Sequence, residues 1–340
     1  MTAPLARIGV ISIGDMGMGI AKLLIANGFS VATNCKGRSN DTVERAKSAR
    51  VEIYKSDEEL AAACDVIFSV VPPRDATATA QRIVDAVTGP FRRSDGSEPL
   101  YFADLNAVAP STTKAIAALF EQTTRGQVRF IDGAIIGNPP APIPDAAVPA
   151  PEASSSTTVQ QQPVAGWKVP SIPVSGPYKL SGIPGYGSAL AAVLNTRHVS
   201  DEVGVASGLK MCFASLTKGF TSLAIQSFTT AKRLGVLDEL QRELQGLVPA
   251  HWKAAERGVV GMAPKAYRWV REMEEIAATF DEEGGFAPDL FRGVAGVYRA
   301  VAEDTVLGEE KVGKRKRGLD VDDMAAAMAE GLENKRKKND

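Results

Sequence analysis

The chain has 340 residues, of which 44% are hydrophobic and 23% are charged, and its formal net charge is −1. This length exceeds what one hydrophobic core ordinarily takes up, so we expect two domains in a soluble globular protein. The near-zero charge excludes a global field that would attract nucleic acid or an acidic membrane, and no apolar run is long enough to span a bilayer.

Cysteine and histidine usage excludes two further classes of site. The three cysteines, Cys35, Cys64 and Cys212, are scattered without metal-ligand spacing, which is typical of a reducing compartment. With only two histidines, His198 and His251, we expect no histidine-based metal site. The N-terminus runs into a predicted strand without a signal-peptide pattern, so a cytoplasmic protein is predicted.

The first stretch predicts a βαβ unit with glycines at its first turn. Strand 8–13 runs into the turn Gly14–Gly19, followed by helix 20–27 and strand 29–33. The dinucleotide fingerprint G-x-G-x-x-G is degenerate here, because a serine takes its first position. A plain tight turn is the alternative, but the flanking strands and helix favour pyrophosphate binding at the helix N-terminus. The predicted contacts are Ser12, Gly14, Asp15, Met16 and Gly17.

The end of the second strand favours NADP over NAD. An NAD site usually has an acid there to hold the ribose 2′-hydroxyl. This chain instead has a basic loop with Asn34, Lys36, Arg38 and Ser39. Its two cations and its polar side chains suit a 2′-phosphate by charge and hydrogen bonding. A solvated basic loop is the alternative interpretation.

Strands and helices go on alternating to about residue 200. Further strands are predicted at 51–54, 65–71, 100–104, 128–132 and 168–175, so residues 1–200 should form a Rossmann-type doubly wound α/β sheet. Ligands bind at the carboxyl ends of such strands, which here carry Val71, Pro72, Asn106 and the segment 133–140. The Pro/Ala/Ser/Gln-rich insertion 139–165 is predicted to be a disordered loop.

The second half predicts an all-α domain over 201–310. Its first element is one uninterrupted helix, Asp201–Lys232, with an apolar stripe of Leu209, Phe213, Leu216, Phe220 and Leu223. Further helices are predicted at 237–247, 265–280 and 288–303, with charges of both signs near Glu272 on a solvated or intersubunit face. The charged tail 311–340 carries two basic runs, either solvated or a nuclear address.

Lys210 lies among small and polar residues on another face of the long helix. Either it is a snorkelling amine with its tip in water, or it is a catalytic lysine in a cleft that moves protons.

The sequence resembles the β-hydroxyacid dehydrogenase superfamily, which includes 6-phosphogluconate and 3-hydroxyisobutyrate dehydrogenases. The likeness spans roughly residues 6–231 and is carried by IGVISIGDMGMGIAKLLIANGFSV, DVIFSVVPP, FADLNAVAPST, FIDGAIIGNPP and GVASGLKMCFASLTK. The later part resembles an uncharacterised branch of phosphogluconate-dehydrogenase-like proteins.

The resemblance implies site residues and a homodimer built around the long helix. Lys210 takes the position of the family's catalytic lysine, and Asn106 would orient the substrate oxygen near the cofactor. Where the family often has an asparagine pair after its lysine, this chain has Phe213 and Ala214. The substrate side would then be formed by Ile136, Gly137, Thr217 and Lys218, with Lys218 holding an anionic group.

Three functions follow as hypotheses. The preferred one is an NADP-dependent oxidoreductase that transfers hydride between nicotinamide and a small hydroxy acid or carbonyl, with Lys210 as general acid–base. The alternatives are an imine reductase, favoured by the apolar loop GAIIG, and a non-catalytic NADP-binding regulator. No nucleic-acid, membrane or metal partner is expected.

Overall fold

The computed structural model describes residues 3–89, 98–144, 164–311 and 313–339. The chain forms two compact units, 1–210 and 211–340. The division lies later than the expected boundary at residue 200, because the strand and the first helical turns after residue 195 belong to the first unit. Within the described residues, none of the helices combines the length and apolar character needed to cross a membrane.

The first unit is built on an eight-stranded sheet. Its strands are β1 (Arg7–Ile11), β2 (Ser30–Asn34), β3 (Glu52–Tyr54), β4 (Val66–Ser69), β5 (Leu100–Asp104), β6 (Val128–Gly133), β9 (Ile172–Ser175) and β10 (Thr196–Ser200), in the order β10-β9-β6-β5-β4-β1-β2-β3. Neighbouring strands are parallel except for the antiparallel pair β6–β9. A separate two-stranded ladder joins β7 (Ala141–Pro142) to β8 (Trp167–Lys168).

Helices cover this sheet on both faces. They are α1 (Asp15–Ala26), α2 (Asn40–Ser48), α3 (Asp57–Ala63), α4 (Ala76–Thr88), α5 (Pro110–Thr124) and α6 (Gly187–Val193). Side chains that alternate along the strands enter two separate buried clusters, one containing Ile8, Val10 and Phe68, the other Ile11, Ile67 and Phe102. The predicted doubly wound α/β architecture is confirmed.

Three local predictions in this unit were wrong. Gly17 and Gly19 lie inside α1, which begins at Asp15 rather than at residue 20. Residues 196–200 form the edge strand β10 instead of leading into the long helix. The described ends of the 139–165 insertion are ordered as β7 and an adjoining segment, where Ile143 N–H donates to the carbonyl of Gly166 at 2.8 Å. Residues 145–163, the body of the predicted disordered loop, lie outside the described residues.

The second unit is helical, as predicted. Its described elements are the end of α7 (Val205–Ala214), α8 (Phe220–Leu234), α9 (Leu237–Leu247), α10 (Pro249–Met262), α11 (Ala266–Glu282), α12 (Asp289–Asp304) and α13 (Val321–Asn339). A single π-helical segment, Ser215–Gly219, joins α7 to α8, so the helix expected to be uninterrupted widens by one turn. The helical run also begins at Val205, since Gly204 ahead of it has a φ of +101°.

Two helices of this unit were not predicted from the sequence, and two glutamates are more buried than expected. The segment after Pro249 is α10, in which the rings of His251 and Trp252 contact those of Phe220 and Phe228, respectively. The expected charged tail contains α13, whose face with Met324, Ala325 and Met328 is buried. Glu272 and Glu275 belong to the charges expected on a solvated or intersubunit face, but they are buried within the chain, at 7% and 3% exposed.

Candidate active site

The β1–α1 turn presents an open helix N-terminus. Gly14 is the N-cap of α1, and no side chain caps the first helical N–H groups. A Cβ at Gly17 would lie 1.9 Å from the carbonyl oxygen of Ser12, so only glycine lets the helix pack this closely on the turn. The helix N-terminus therefore offers uncapped N–H donors to an anion, the arrangement that binds a pyrophosphate.

Beside this turn lies a cleft of about 210 Å³ that contains many of the predicted cofactor residues. The residues expected from sequence that line it are Ser12, Asn34, Lys36, Arg38, Val71 and Pro72. The cleft also contains Asp75, Thr79 and Arg82, which sequence reasoning missed. Asp75 immediately precedes α4, and Thr79 and Arg82 lie one helical turn apart within it. The one sequence signal for these three residues was that they follow a predicted strand end.

Asn34, at the end of β2, is fixed by two polar contacts. Its Nδ2 donates to Asp57 Oδ1 at 2.9 Å, and its Oδ1 accepts from the backbone N–H of Lys36 at 2.8 Å. Arg82 donates to both oxygens of Asp57, each at 2.8 Å. An NAD site would have an acidic residue at the end of this strand. Here the strand ends in Asn34, and the nearby carboxylate of Asp57 is neutralised by Arg82.

The electrostatics of the cleft fit a 2′-phosphate. Lys36, Arg38 and Arg82 line it, with Asp75 as the acid beside them. Ser39 does not line the cleft: it precedes α2, and its hydroxyl lies 3.1 Å from that of Thr42. Because Arg82 is already paired with Asp57, Lys36 and Arg38 are the two cations that can neutralise a phosphate, whereas the strand end offers no free carboxylate to a ribose 2′-hydroxyl.

Asn106 connects the ends of β4 and β5. Its Oδ1 accepts from the N–H of Val71 at 2.7 Å, and its Nδ2 donates to Ser69 Oγ at 2.9 Å. Its own backbone N–H donates to Asp104 Oδ1 at 2.9 Å. The predicted catalytic asparagine is therefore held rigidly at the rim, next to the Val71–Pro72 segment of the cleft; these bonds use one of its two amide N–H groups.

Asp104 is a buried carboxyl with an orphaned oxygen. It is 1% exposed, and its Oδ2 has no hydrogen-bond partner among the described atoms. Burial raises the pKa of Asp104 to about 7, assisted by the charge of Asp132 and opposed by the hydrogen bonds to Asn106.

Lys210 reaches the loop that was predicted to shape the substrate pocket. Its Nζ donates to the carbonyl oxygen of Ile135 at 2.8 Å, and the side chain is half-buried. The loop is fixed by reciprocal backbone bonds between Ile136 and Ser171, at 2.8 and 3.0 Å, and by Gly137 with a φ of +134°. Both interpretations of Lys210 expected its amine in polar surroundings. In the structure the amine is hydrogen-bonded to the Ile135 carbonyl.

Lys218, predicted to hold an anionic substrate group, makes an internal ion pair in the second unit. Its Nζ contacts Glu272 and lies 4.8 Å from the centroid of the Trp269 ring. Burial lowers the pKa of Lys218, while Glu272 opposes that shift. Thr217, the other predicted polar group, is exposed and bonds back to the carbonyl of Phe213 at 3.2 Å.

Known proteins match both halves of the chain. The family described as "NADP oxidoreductase coenzyme F420-dependent" matches residues 7–90, and "Domain of unknown function (DUF1932)" matches residues 231–301. An uncharacterised 28.5 kDa protein of Methanothermus fervidus is 25% identical over 239 residues, which are 70% of this chain and 76% of that protein.

Solved structures share the fold over nearly the whole length. A conserved protein of unknown function, itself similar to 3-hydroxyacid dehydrogenases, has 24% identity and a TM-score of 0.56, covering 87% of this chain and 97% of that one. Mycobacterium tuberculosis 3-hydroxyisobutyrate dehydrogenase has 16% identity and a TM-score of 0.60, covering 95% and 98%. The resemblance found in the sequence is confirmed at the level of fold. The chain thus combines an N-terminal match to the NADP oxidoreductase model with a C-terminal match to the DUF1932 model, and it shares the fold of the 3-hydroxyacid dehydrogenases.

Proposed function

We propose that this protein is an NADP-dependent oxidoreductase that transfers hydride between the nicotinamide and a small hydroxy acid or carbonyl compound, with Lys210 as the general acid–base. The observation that carries the proposal is the bond from Lys210 Nζ to the carbonyl of Ile135, 2.8 Å long. It holds an amine at the carboxyl end of β6, in the same unit and on the same rim as the cationic cleft. Ligands of open α/β sheets bind at that rim.

The cofactor would be held by groups already in place. The first turn of α1, with Asp15, Met16 and Gly17 following the Gly14 cap, supplies uncapped N–H groups for the pyrophosphate. Lys36 and Arg38 supply positive charge for the 2′-phosphate, and Arg82 lines the same cleft while paired with Asp57. Val71 and Pro72 lie at the end of β4, where the nicotinamide side of such a cofactor is expected.

The proton and the hydride follow separate routes. Bound NADP supplies a carbon, C4 of the nicotinamide, that accepts or donates hydride. During reduction, Lys210 gives a proton to the substrate oxygen; during oxidation, the neutral amine takes the hydroxyl proton. Asn106 orients that oxygen, and the backbone around Ile136 and Gly137 limits the room beside it. The Ile135 carbonyl keeps the amine in position in either direction.

The apolar loop that favoured an imine substrate gives that hypothesis little support. Ala134 and Ile135 are 0% and 8% exposed, so their side chains belong to the protein core rather than to the wall of a pocket. A cationic amine beside an iminium ion is also electrostatically unfavourable. A hydroxyl or carbonyl substrate therefore suits the site better.

A homodimer is part of the proposal. In the second unit, Phe213, Leu216 and Leu223 belong to the predicted apolar stripe and are 45%, 78% and 54% exposed. Large apolar side chains that recur at helical spacing and face solvent are typical of an interface. We propose that a second copy of the chain covers them.

The assay of the proposal is hydride transfer itself. Purified protein is incubated with NADPH and a panel of small keto acids, aldehydes and ketones, and with NADP and the matching hydroxy acids, while absorbance of the reduced cofactor is followed. Lys210→Met keeps much of the side-chain volume and removes the amine, so turnover should fall by roughly 10²- to 10⁴-fold. Lys168→Met, at an exposed lysine of the same unit, is the matched control. Normal turnover by Lys210→Met would contradict the acid–base role.

A further inference from the structure

We propose that Asp132 is the positioning residue of Lys210: it anchors the first turn of α7 and thereby sets the amine on the Ile135 carbonyl. The inference deepens the proposed function and rests on it for its catalytic meaning. The anchoring itself is a property of the chain and can be tested without a substrate or a cofactor.

Asp132 caps α7 from a distant strand. It lies at the end of β6, is 0% exposed, and its Oδ2 accepts from the N–H groups of Gly204 and Ser207 at 2.9 and 3.3 Å. Its Oδ1 accepts from the hydroxyl of Ser207 at 2.6 Å. The first N–H groups of a helix lack intrahelical partners, and a negative charge there is favoured by the helix dipole.

Neighbouring hydroxyls complete the anchor. Ser175 Oγ donates to Asp132 Oδ2 at 2.7 Å and accepts from the N–H of Ala206 at 3.1 Å. Ser207 spends its single proton on Asp132, so Thr113, 2.8 Å away, is the donor in the bond between their hydroxyls. Each of these groups is buried, so water cannot supply a hydrogen bond in place of one that is lost. Removing one group therefore leaves the polar atoms that it bonded unsatisfied.

The spacing of the contacts links this anchor to Lys210. Ser207 and Lys210 are three residues apart on α7, so they lie on one face of the helix. Their partners, Asp132 and Ile135, are three residues apart on the chain that leaves β6. The helix is therefore attached to this one segment at two points. The bond between Ser207 and Asp132 sets the rotation of α7 and its position along the helix axis, and so determines where Lys210 meets the Ile135 carbonyl.

Gly204 lets the chain turn into α7 close to Pro110. Its φ of +101° turns the chain into the helix, and a Cβ there would approach Pro110 to 3.2 Å. Glycine is therefore required at this position, and the N–H groups that Asp132 accepts from belong to Gly204 itself and to the turn that directly follows it.

Competitive acetylation measures the reactivity of the Lys210 amine, which depends on whether the amine is held on the Ile135 carbonyl. The full-length, cofactor-free protein is treated with trace acetic anhydride between pH 6 and 10, and modification of Lys210 is compared by mass spectrometry with that of exposed Lys168. Asp132→Asn keeps the shape but loses the charge and one acceptor oxygen, so the amine should be released from Ile135. We expect Lys210 to react about three to ten times faster, the change in equilibrium that one weakened hydrogen bond produces.

Hydrogen exchange of the peptide that begins at Gly204 supplies an independent readout, since its first amides should lose protection in Asp132→Asn. Ser207→Ala is the milder second variant, used if Asp132→Asn fails to fold, and should change both readouts in the same direction. Thr124→Val is the matched control: it removes another buried hydroxyl, bonded at 2.7 Å to the carbonyl of Phe120 and not to α7.

The outcomes separate the two proposals. Wild-type labelling and exchange in folded Asp132→Asn or Ser207→Ala would overturn the anchoring role, as would an equal change in Thr124→Val. If labelling changes as expected but Lys210→Met transfers hydride normally, the anchor stands and the acid–base role falls. If both stand, Asp132→Asn should lower kcat while the KM for NADPH stays within about twofold, because the cofactor cleft is not touched.

Discussion

Asp104 and Asp132 are register partners on the adjacent parallel strands β5 and β6, so two buried carboxyl groups project to the same side of the sheet. They differ in hydrogen bonding: both oxygens of Asp132 accept bonds, whereas Oδ2 of Asp104 accepts none from the described residues. Burial raises the pKa of Asp104 to about 7, and the nearby charge of Asp132 adds to that shift.

The first prediction is that Asp104 makes stability depend on pH. In the unfolded chain this carboxyl ionises near pH 4, and in the folded protein near pH 7. The folded state therefore binds more protons in that window, and its free energy of unfolding falls as the pH rises from about 4 to about 7, by about 1.4 kcal/mol per unit of pKa difference. Asp104→Asn cannot ionise and should lose this dependence.

Urea denaturation of both proteins at pH 5 and pH 8 checks it. Groups remote from Asp104 contribute equally in the two proteins, so the difference between them reports Asp104 and its immediate surroundings. Asp104→Asn should gain stability relative to the wild type on going from pH 5 to pH 8. A difference that is the same at both pH values would show that the carboxyl is not protonated in the folded state.

Cofactor preference gives the second prediction. We expect NADPH to bind more tightly than NADH, because Lys36, Arg38 and Arg82 line the cleft at the end of β2. Arg38→Ala should lose much of the difference, since one charge-assisted bond contributes about 1.5–3 kcal/mol, or tenfold and more in Kd. Titration followed by cofactor fluorescence measures both constants. Lys47→Ala on the exposed surface of α2 is the control, and equal affinities in the wild type would contradict the prediction.

Local patterns predicted much of the first unit. The bounds of β5 agree with the predicted strand 100–104, because a continuous apolar run is a local signal. The cleft residues at the ends of β1, β2 and β4 were likewise predictable, since the topology of a parallel sheet brings strand ends to one rim. Lys210 was found through a motif, not through its contact.

Long-range contacts could not be predicted in this way. Asp132 looked like the last residue of a strand, yet its partners are Ser175, Gly204 and Ser207. The π-helical segment around Lys218 has no local signature, because it depends on what packs against the helix. The mixed charges of α11 were expected on a solvated or intersubunit face, whereas Glu272 is buried within the chain and pairs with Lys218.

The third prediction concerns the exposed apolar stripe. Leu216 is 78% exposed, so Leu216→Glu should cost the isolated chain little stability. If a second copy covers the stripe, a buried unpaired charge there should weaken the dimer strongly. Analytical ultracentrifugation at micromolar concentration should give a dimer for the wild type and a monomer for this variant. Leu247→Glu, at an equally exposed leucine at the end of α9, should remain dimeric. A monomeric wild type would end this proposal.

The fourth prediction decides between two roles of Lys218. As an internal ion pair, it neutralises Glu272, which is 7% exposed. Lys218→Met would then remove the cation that faces this buried carboxylate, at a cost of about 3–5 kcal/mol in the free energy of unfolding. Glu272→Gln should also destabilise the protein, because it leaves the amine unpaired. As a substrate-binding lysine, Lys218→Met would instead raise KM and leave stability nearly unchanged.

A double-mutant cycle measured by urea unfolding separates these roles. In Lys218→Met/Glu272→Gln neither charge remains, so the combined loss should be smaller than the sum of the two single losses by at least about 1 kcal/mol. The matched control is Lys232→Met, at an exposed lysine that lies 3.3 Å from Asp322, where the change should stay within about 0.5 kcal/mol. Additive losses would mean that the two charges do not stabilise each other. Lys218 would then be free to bind an anionic substrate group, as the sequence alone suggested.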